Sequence, residues 1–386
     1  MARKSLSFSS VSVRLARAAV CVVFFSAQLG ARSAETNAPS PSPKFLGTES
    51  CGSSGCHGGG GHTQNQFIVW SLRDIHHERP FATLTTARSR QIAAALKIAN
   101  PIEAAECASC HAPLHEIPAD LRGPLFRISE GVSCESCHGP AENWLRSHTR
   151  SDYTHADRVA AGMRDLKDLY VRANTCVACH QTVALPLLNA GHPELIFELD
   201  GQSVAEPKHW REAAASNGAQ IWLTGQATAL REISWQIESA SETNKNLLEK
   251  RDALLWLFQK IEGASPNLPS LRNISSADSA AVRSAADQFA RATAEITWSP
   301  DMTSGILARL ASAAADFRRK ATPAGQQARR AERLVLALDR LFKTQSSAAA
   351  QGRLDKLIKL AQSIPDFDPI DFASALDDFS QSVKNP

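Results

Sequence analysis

The sequence predicts a mainly α protein in two parts: short helices and long loops over residues 46–210, then an all-α helical region over 211–386. Three observations predict it. Every histidine lies at or before residue 209, and so does every cysteine, leaving a 177-residue C-terminal stretch with neither. In that stretch apolar residues recur at helical spacing: Ile306, Leu310, Ala314 and Phe317 share one face, and Leu334, Leu338, Leu341 and Phe342 another. Breakers at Pro266, Pro269, Pro300, Pro323 and Pro365 divide it into about five to seven helices. These charges read as solvated helix faces, with no catalytic cluster among them. Composition is ordinary for a globular chain, 43% hydrophobic and 21% charged, but aromatics are scarce at 6%.

The first 34 residues read as a cleaved secretory signal. Arg3, Lys4, Arg14 and Arg17 precede the apolar run from Ala18 to Phe25, and small residues follow. The run is much shorter than the roughly 20 residues a membrane-spanning helix requires, and no later stretch reaches that length. Cleavage between Ala27 and Ala34 removes Cys21 and delivers the mature chain to the periplasm or another exported location. Residues 35–45, rich in Pro and Ser, read as an extended tether. The formal charge of +3 belongs to the signal: without its five basic residues, 37 basic residues face 39 acidic ones, a net of −2. That balance argues against nucleic acid as a partner.

The eight remaining cysteines form four pairs, each followed at once by histidine: Cys51-Gly-Ser-Ser-Gly-Cys56-His57, Cys107-Ala-Ser-Cys110-His111, Cys134-Glu-Ser-Cys137-His138 and Cys176-Val-Ala-Cys179-His180. The last three are C-x-x-C-H, the c-type haem attachment pattern, and the first is its rarer, longer variant. Two thiols add across the vinyl groups on one edge of a porphyrin, and the adjacent imidazole reaches the iron from one face. A short intervening loop sets both distances. Zinc would gather cysteine pairs into sets of four and disulfides would need no histidine. Residues 46–210 therefore read as a tetrahaem cytochrome c domain, and four covalently attached c-type haems are the expected cofactors. At roughly 40 residues per haem, stacked porphyrins take the place of a side-chain core, and cofactor binding supplies folding energy.

Haem iron takes an axial ligand from each side. Only Met163 and Met302 survive processing, so histidine has to supply the second ligands. Beyond His57, His111, His138 and His180, eight histidines remain. His77, His148, His192 and His209 are the distal candidates, with His76 the rival of His77. The stretch from Trp70 to Leu84 reads as a helix carrying His77, and His148 follows the third motif at helical spacing. His62, His115 and His155 read as surface residues or as groups that orient a ligand or a propionate.

Here the sequence resembles multihaem cytochromes of the cytochrome c-554 type, tetrahaem electron carriers associated with hydroxylamine oxidation. The resemblance covers about residues 46–210. It rests on Gly131-Val-Ser-Cys-Glu-Ser-Cys-His-Gly-Pro140 followed by His148, and on Trp70 to Leu84, where alignment on Phe81-Ala-Thr-Leu84 selects His77 over His76. The resemblance implies that His77 serves the haem on His138 and His148 the haem on His57. It gives the haem on His180 a downstream histidine, matching His192 or His209, and allows the haem on His111 to be five-coordinate. The longer first motif, the Ala190-Gly-His-Pro193 region and the C-terminal half have no counterpart in the type protein.

Two functions follow. One is single-electron transfer between redox partner proteins through mostly bis-histidine haems. The other is a haem enzyme reducing a small nitrogen or sulfur oxide at one open haem, with His111 holding the haem and His115 as an acid; no C-x-x-C-K site supports it. A third reading makes the chain one subunit of a larger redox complex.

Overall fold

The computed structural model describes residues 42–61, 63–180, 183–210, 217–240, 244–342, 348–363 and 366–384. The expected signal peptide, most of the tether, His62 and Pro365 lie outside these. From Ser42 onward the chain forms one compact unit. Among the described residues it is helical, with a single isolated bridge between Phe45 and Arg122 and no strand. No helix there is long and apolar enough to cross a membrane.

The first part is built of short pieces: α1 (Gln66–Leu72), α2 (Ile75–Glu78), α3 (Pro80–Thr83), α4 (Ala87–Ala95), α5 (Ala105–His111), α6 (Cys134–His138), α7 (His155–Ala160), α8 (Leu169–His180), α9 (Leu185–Asn189) and α10 (Leu199–Ala205). The single helix expected from Trp70 to Leu84 is instead the end of α1 followed by α2 and α3. Asp74 starts a new helix by accepting from the backbone N–H of His77, and Pro80 can only begin a helix, not continue one. His148 sits in a 3-10 turn, Ser147–Thr149, rather than in an α-helix.

The second part holds eight helices among the described residues: α11 (Gly218–Ser239), α12 (Lys245–Lys260), α13 (Ser279–Glu295), α14 (Pro300–Ala311), α15 (Ala314–Phe317), α16 (Ala324–Phe342), α17 (Ala348–Ala361) and α18 (Pro369–Lys384). That exceeds the expected number because not every break carries a proline. Asn244 caps α12 by accepting from the amides of Asn246 and Leu247, and the chain turns at Ser312–Ala313, so the face expected from Ile306 to Phe317 spans α14 and α15. On α16, Leu334, Leu338, Leu341 and Phe342 are all buried, as the periodicity requires.

The two parts are packed very differently. The largest fully buried side chains, among them Phe197, Trp222, Phe258, Phe289 and Phe379, all lie at or beyond residue 197. Before residue 169 the buried apolar groups are few and mostly small, such as Ala93, Ala108, Ala112 and Ala141. The main hydrophobic core also takes in Ala173 and Val177 of α8, together with Phe197 and Leu199. Helix α8 thus packs one face on the helical core while its C-terminal turn carries the fourth cysteine pair.

Candidate haem-binding site

The four cysteine motifs are held by local structure that aims each histidine. In the first, the two extra residues are absorbed by turns: Cys56 N–H donates to Ser53 O at 2.9 Å and His57 N–H to Cys51 O at 3.1 Å. A side chain at Gly58 would strike Gly52 O at 2.0 Å, so only glycine can follow His57 in this turn. The other three motifs end α5, α6 and α8, each with its histidine as the last helical residue. Ser133 and Ser136 cap α6 reciprocally, and Arg164 donates to the carbonyls of Ser136 and Cys137 at 2.6 and 2.9 Å.

The third motif anchors the first. Glu135, only 2% exposed, accepts from the backbone N–H groups of Leu46, Gly47 and Ala141 at 2.9, 2.7 and 2.8 Å. Burial raises its pKa, and these three donors oppose the rise without cancelling it. Glu130 accepts from both the amide and the hydroxyl of Thr48. Lys44 N–H donates to Glu142 at 2.8 Å, so the expected tether is already docked at its last residues. Gly131, at φ +67°, lets Val132 N–H reach His77 O at 2.9 Å, which seats α2 on the third motif.

The thiols lie close together. Cys51 lies beside Cys134 and Cys110 beside Cys179, near enough for each to shift the other's thiol, and Cys137 and Cys176 lie near enough to Cys179 to act on it as well. The first motif thus neighbours the third, the third the fourth, and the fourth the second. Burial pushes the Cys137 thiol up to about 11 and that of Cys176 to about 12, whereas the neighbouring Cys179 thiol lowers Cys110 to about 7.

Imidazoles face one another across this cluster. His57 and His148 have ring centroids 5.9 Å apart, and His111 and His192 have theirs 6.3 Å apart. His180 lies 5.6 Å from His76 and 6.5 Å from His77. His209 acts electrostatically on His138, as does His57. Burial, assisted by these neighbouring rings, pushes both His138 and His180 down to about 4, so both are neutral at neutral pH, as a ligand must be.

Haem fits these residues on one observation above all. An iron-ligating imidazole uses one ring nitrogen and gives the other N–H to a fixed acceptor. Nδ1 of His57 pairs with Gln66 Oε1 at 2.8 Å, that of His77 with Asp74 Oδ2 at 2.8 Å, that of His111 with Pro80 O at 2.9 Å, that of His148 with Leu145 O, and that of His192 with Pro193 O at 2.8 Å. At His180 the Gln202 amide lies 3.1 Å from Nδ1, and turning that amide presents its otherwise unpartnered Oε1 to the ring N–H. Each of these six rings keeps Nε2 free of hydrogen bonds among the described residues. His155 does the reverse, engaging Nε2 with Asp165 at 2.9 Å.

The orienting acceptors Gln66, Asp74 and Gln202 lie outside the cysteine–histidine motifs. Asp74 carries a local signal, lying three residues before His77 as an N-cap. Glu130 and Glu135 act on residues 82 to 89 positions away and carry no such signal.

These features are what a c-type cytochrome requires: paired cysteines, each pair followed by a histidine, and oriented imidazoles nearby. Residues 50–139 match the family described as cytochrome c554 and c-prime. No curated protein and no solved structure matches the chain.

Proposed function

We propose that the protein is an exported, periplasmic tetrahaem cytochrome that carries single electrons between redox partner proteins. Each haem supplies a one-electron couple when bound. The chain's own part is to hold each attachment thiol pair and to fix each imidazole in one tautomer, leaving little to rearrange when charge changes. The observation that carries the reading is the pairing of facing imidazoles, with His57 opposite His148 and His180 flanked by His76 and His77. Histidine on both sides of an iron leaves no vacancy for a substrate. His209, which acts electrostatically on His138, is the candidate to face it from the structure, and His77, which acts on His209, is the candidate the resemblance implies.

The succession of neighbouring thiols supports a continuous path from the first motif through the third and fourth to the second. Export rests on the arrangement of residues 1–34 and on the c-type attachment chemistry. The helical second part serves as a scaffold for α8, and as the surface available to a larger redox assembly.

The test is made on protein matured in a host with haem-ligation machinery. Intact mass should show four covalent haems. The reduced protein should be re-oxidised by a one-electron acceptor, and it should not turn over nitrite, hydroxylamine, nitric oxide or sulfite. Steady turnover of any of these would replace electron carriage with catalysis.

A further inference from the structure

We infer that His192 closes the distal side of the haem held by Cys107, Cys110 and His111, so that the second haem, which the family resemblance allows to be five-coordinate, is six-coordinate in this protein. The inference rests on covalent haem attachment at the second motif, as in the function proposed above.

Two imidazoles that bind one metal through Nε2 from opposite sides, at about 2 Å each, have ring centroids about 6 Å apart. His111 and His192 are 6.3 Å apart, with planes at 81°. Both rings are pre-set for that role. His111 gives Nδ1 to Pro80 O at 2.9 Å and lies 3.0 Å from Thr83 Oγ1, whereas His192 gives Nδ1 to Pro193 O at 2.8 Å. Neither Nε2 has a hydrogen-bond partner among the described residues.

The segment that carries His192 is built as a strap across this site. Helix α9 ends in a turn in which Gly191, at φ +100°, donates to Leu188 O, and His192 N–H donates to Leu187 O at 2.9 Å. On the side of the first part, Arg88 of α4 donates to Gly191 O at 2.8 Å. Two residues beyond His192, Glu194 pairs with Lys250 and accepts from Asn246 at 3.2 Å, both on α12. Phe197 and Leu199 then enter the helical core, with the Leu199 backbone and side chain pressed on Gly225 of α11. The strap is pinned at both ends, and one pin belongs to the helical region that the type protein lacks. That gives the second part a specific task, holding a ligand over the second haem.

The competing assignment sends His192 to the haem on His180. The rings flanking His180 are instead His76 and His77.

The experiment compares wild-type holoprotein with His192→Ala and His192→Met, all with haem content fixed by intact mass. His192→Ala should add a high-spin ferric signal worth one haem per molecule, and one CO-binding haem after dithionite reduction. His192→Met, the milder change, should keep that haem low-spin and move one redox couple to higher potential. To locate the haem, the same change is made in a background lacking the second haem (Cys107→Ala, Cys110→Ala, His111→Ala). There His192→Ala should add no high-spin signal. If it still adds one, His192 serves another haem and the inference is wrong. Spectra and potentials unchanged by either substitution also overturn it. A wild-type mass with no haem at Cys107 and Cys110 would instead remove the reading on which it rests.

Discussion

The imidazole of His148 lies against that of His57, with ring centroids 5.9 Å apart and planes inclined by only 20°. Ninety residues of sequence separate them, and the third motif brings them together. Glu130 and Glu135 draw residues 46–48 onto α6, while Trp144, 6% exposed, packs edge-on against His148 at 5.7 Å. His148 engages Leu145 O through Nδ1, which leaves Nε2 free for a ligand role. Replacing His148 by Ala should leave the haem count unchanged and convert the haem on His57 to high spin, about one haem per molecule. Visible and EPR spectra read this directly, and an unaltered spectrum would strike His148 from the ligands.

The clamp on the first motif has its own expected cost. Glu135→Gln keeps one carbonyl oxygen but turns the other acceptor into a donor facing a backbone N–H. Losing charge-assisted hydrogen bonds at a buried site costs about 1.5–3 kcal/mol per bond. Chemical unfolding of the holoprotein should show a destabilisation of that order, with looser attachment of residues 46–48 seen as faster amide exchange at Leu46 and Gly47. Protection factors equal to those of the wild type would mean that the carboxylate does not hold this segment.

The sequence showed the chemistry of the site more readily than its geometry, for a physical reason. Cysteine and histidine spacing within a motif is a local constraint, so His57, His111, His138 and His180 stand out in the sequence as the candidate proximal imidazoles. Helical periodicity likewise located α16, where Leu334, Leu338 and Leu341 recur on one face. Which distal histidine meets which motif depends on contacts between distant segments, such as Arg88 with Gly191 and Gln202 with His180. No periodicity encodes these. The resemblance pairs His77 with the haem on His138, and the His77 ring also lies 6.5 Å from that of His180, so spacing alone does not single out one motif for it. The count of helices fell short where short polar turns end a helix without proline, as at Ser312–Ala313.

The attachment of α8 to the helical region should titrate at low pH. Asp287 of α13 accepts from the Tyr170 hydroxyl at 2.5 Å, from Arg231 at 2.9 Å and from Arg291 at 2.9 Å, and Arg291 also covers the Tyr170 ring at 4.2 Å. Partial burial works against ionisation, but the hydrogen bonds from Tyr170, Arg231 and Arg291 outweigh it and hold the carboxyl at about 2, below the ordinary 3.8. A carboxyl depressed in the folded state adds stability that is fully present above its unfolded pKa and is lost as pH falls through the folded one. The window is therefore from about pH 4 down to about pH 2. Asp287→Asn should cost about 1–2 kcal/mol at pH 7, allowing for solvent screening of a cluster near the surface. The gap between wild type and variant should close across that window. Haem ligands that titrate at acid pH do so in both proteins and cancel in the difference. Unfolding followed by far-UV circular dichroism at a series of pH values measures it, and a gap that stays constant to pH 2 would show that the Asp287 charge does not secure the helix bearing the fourth motif.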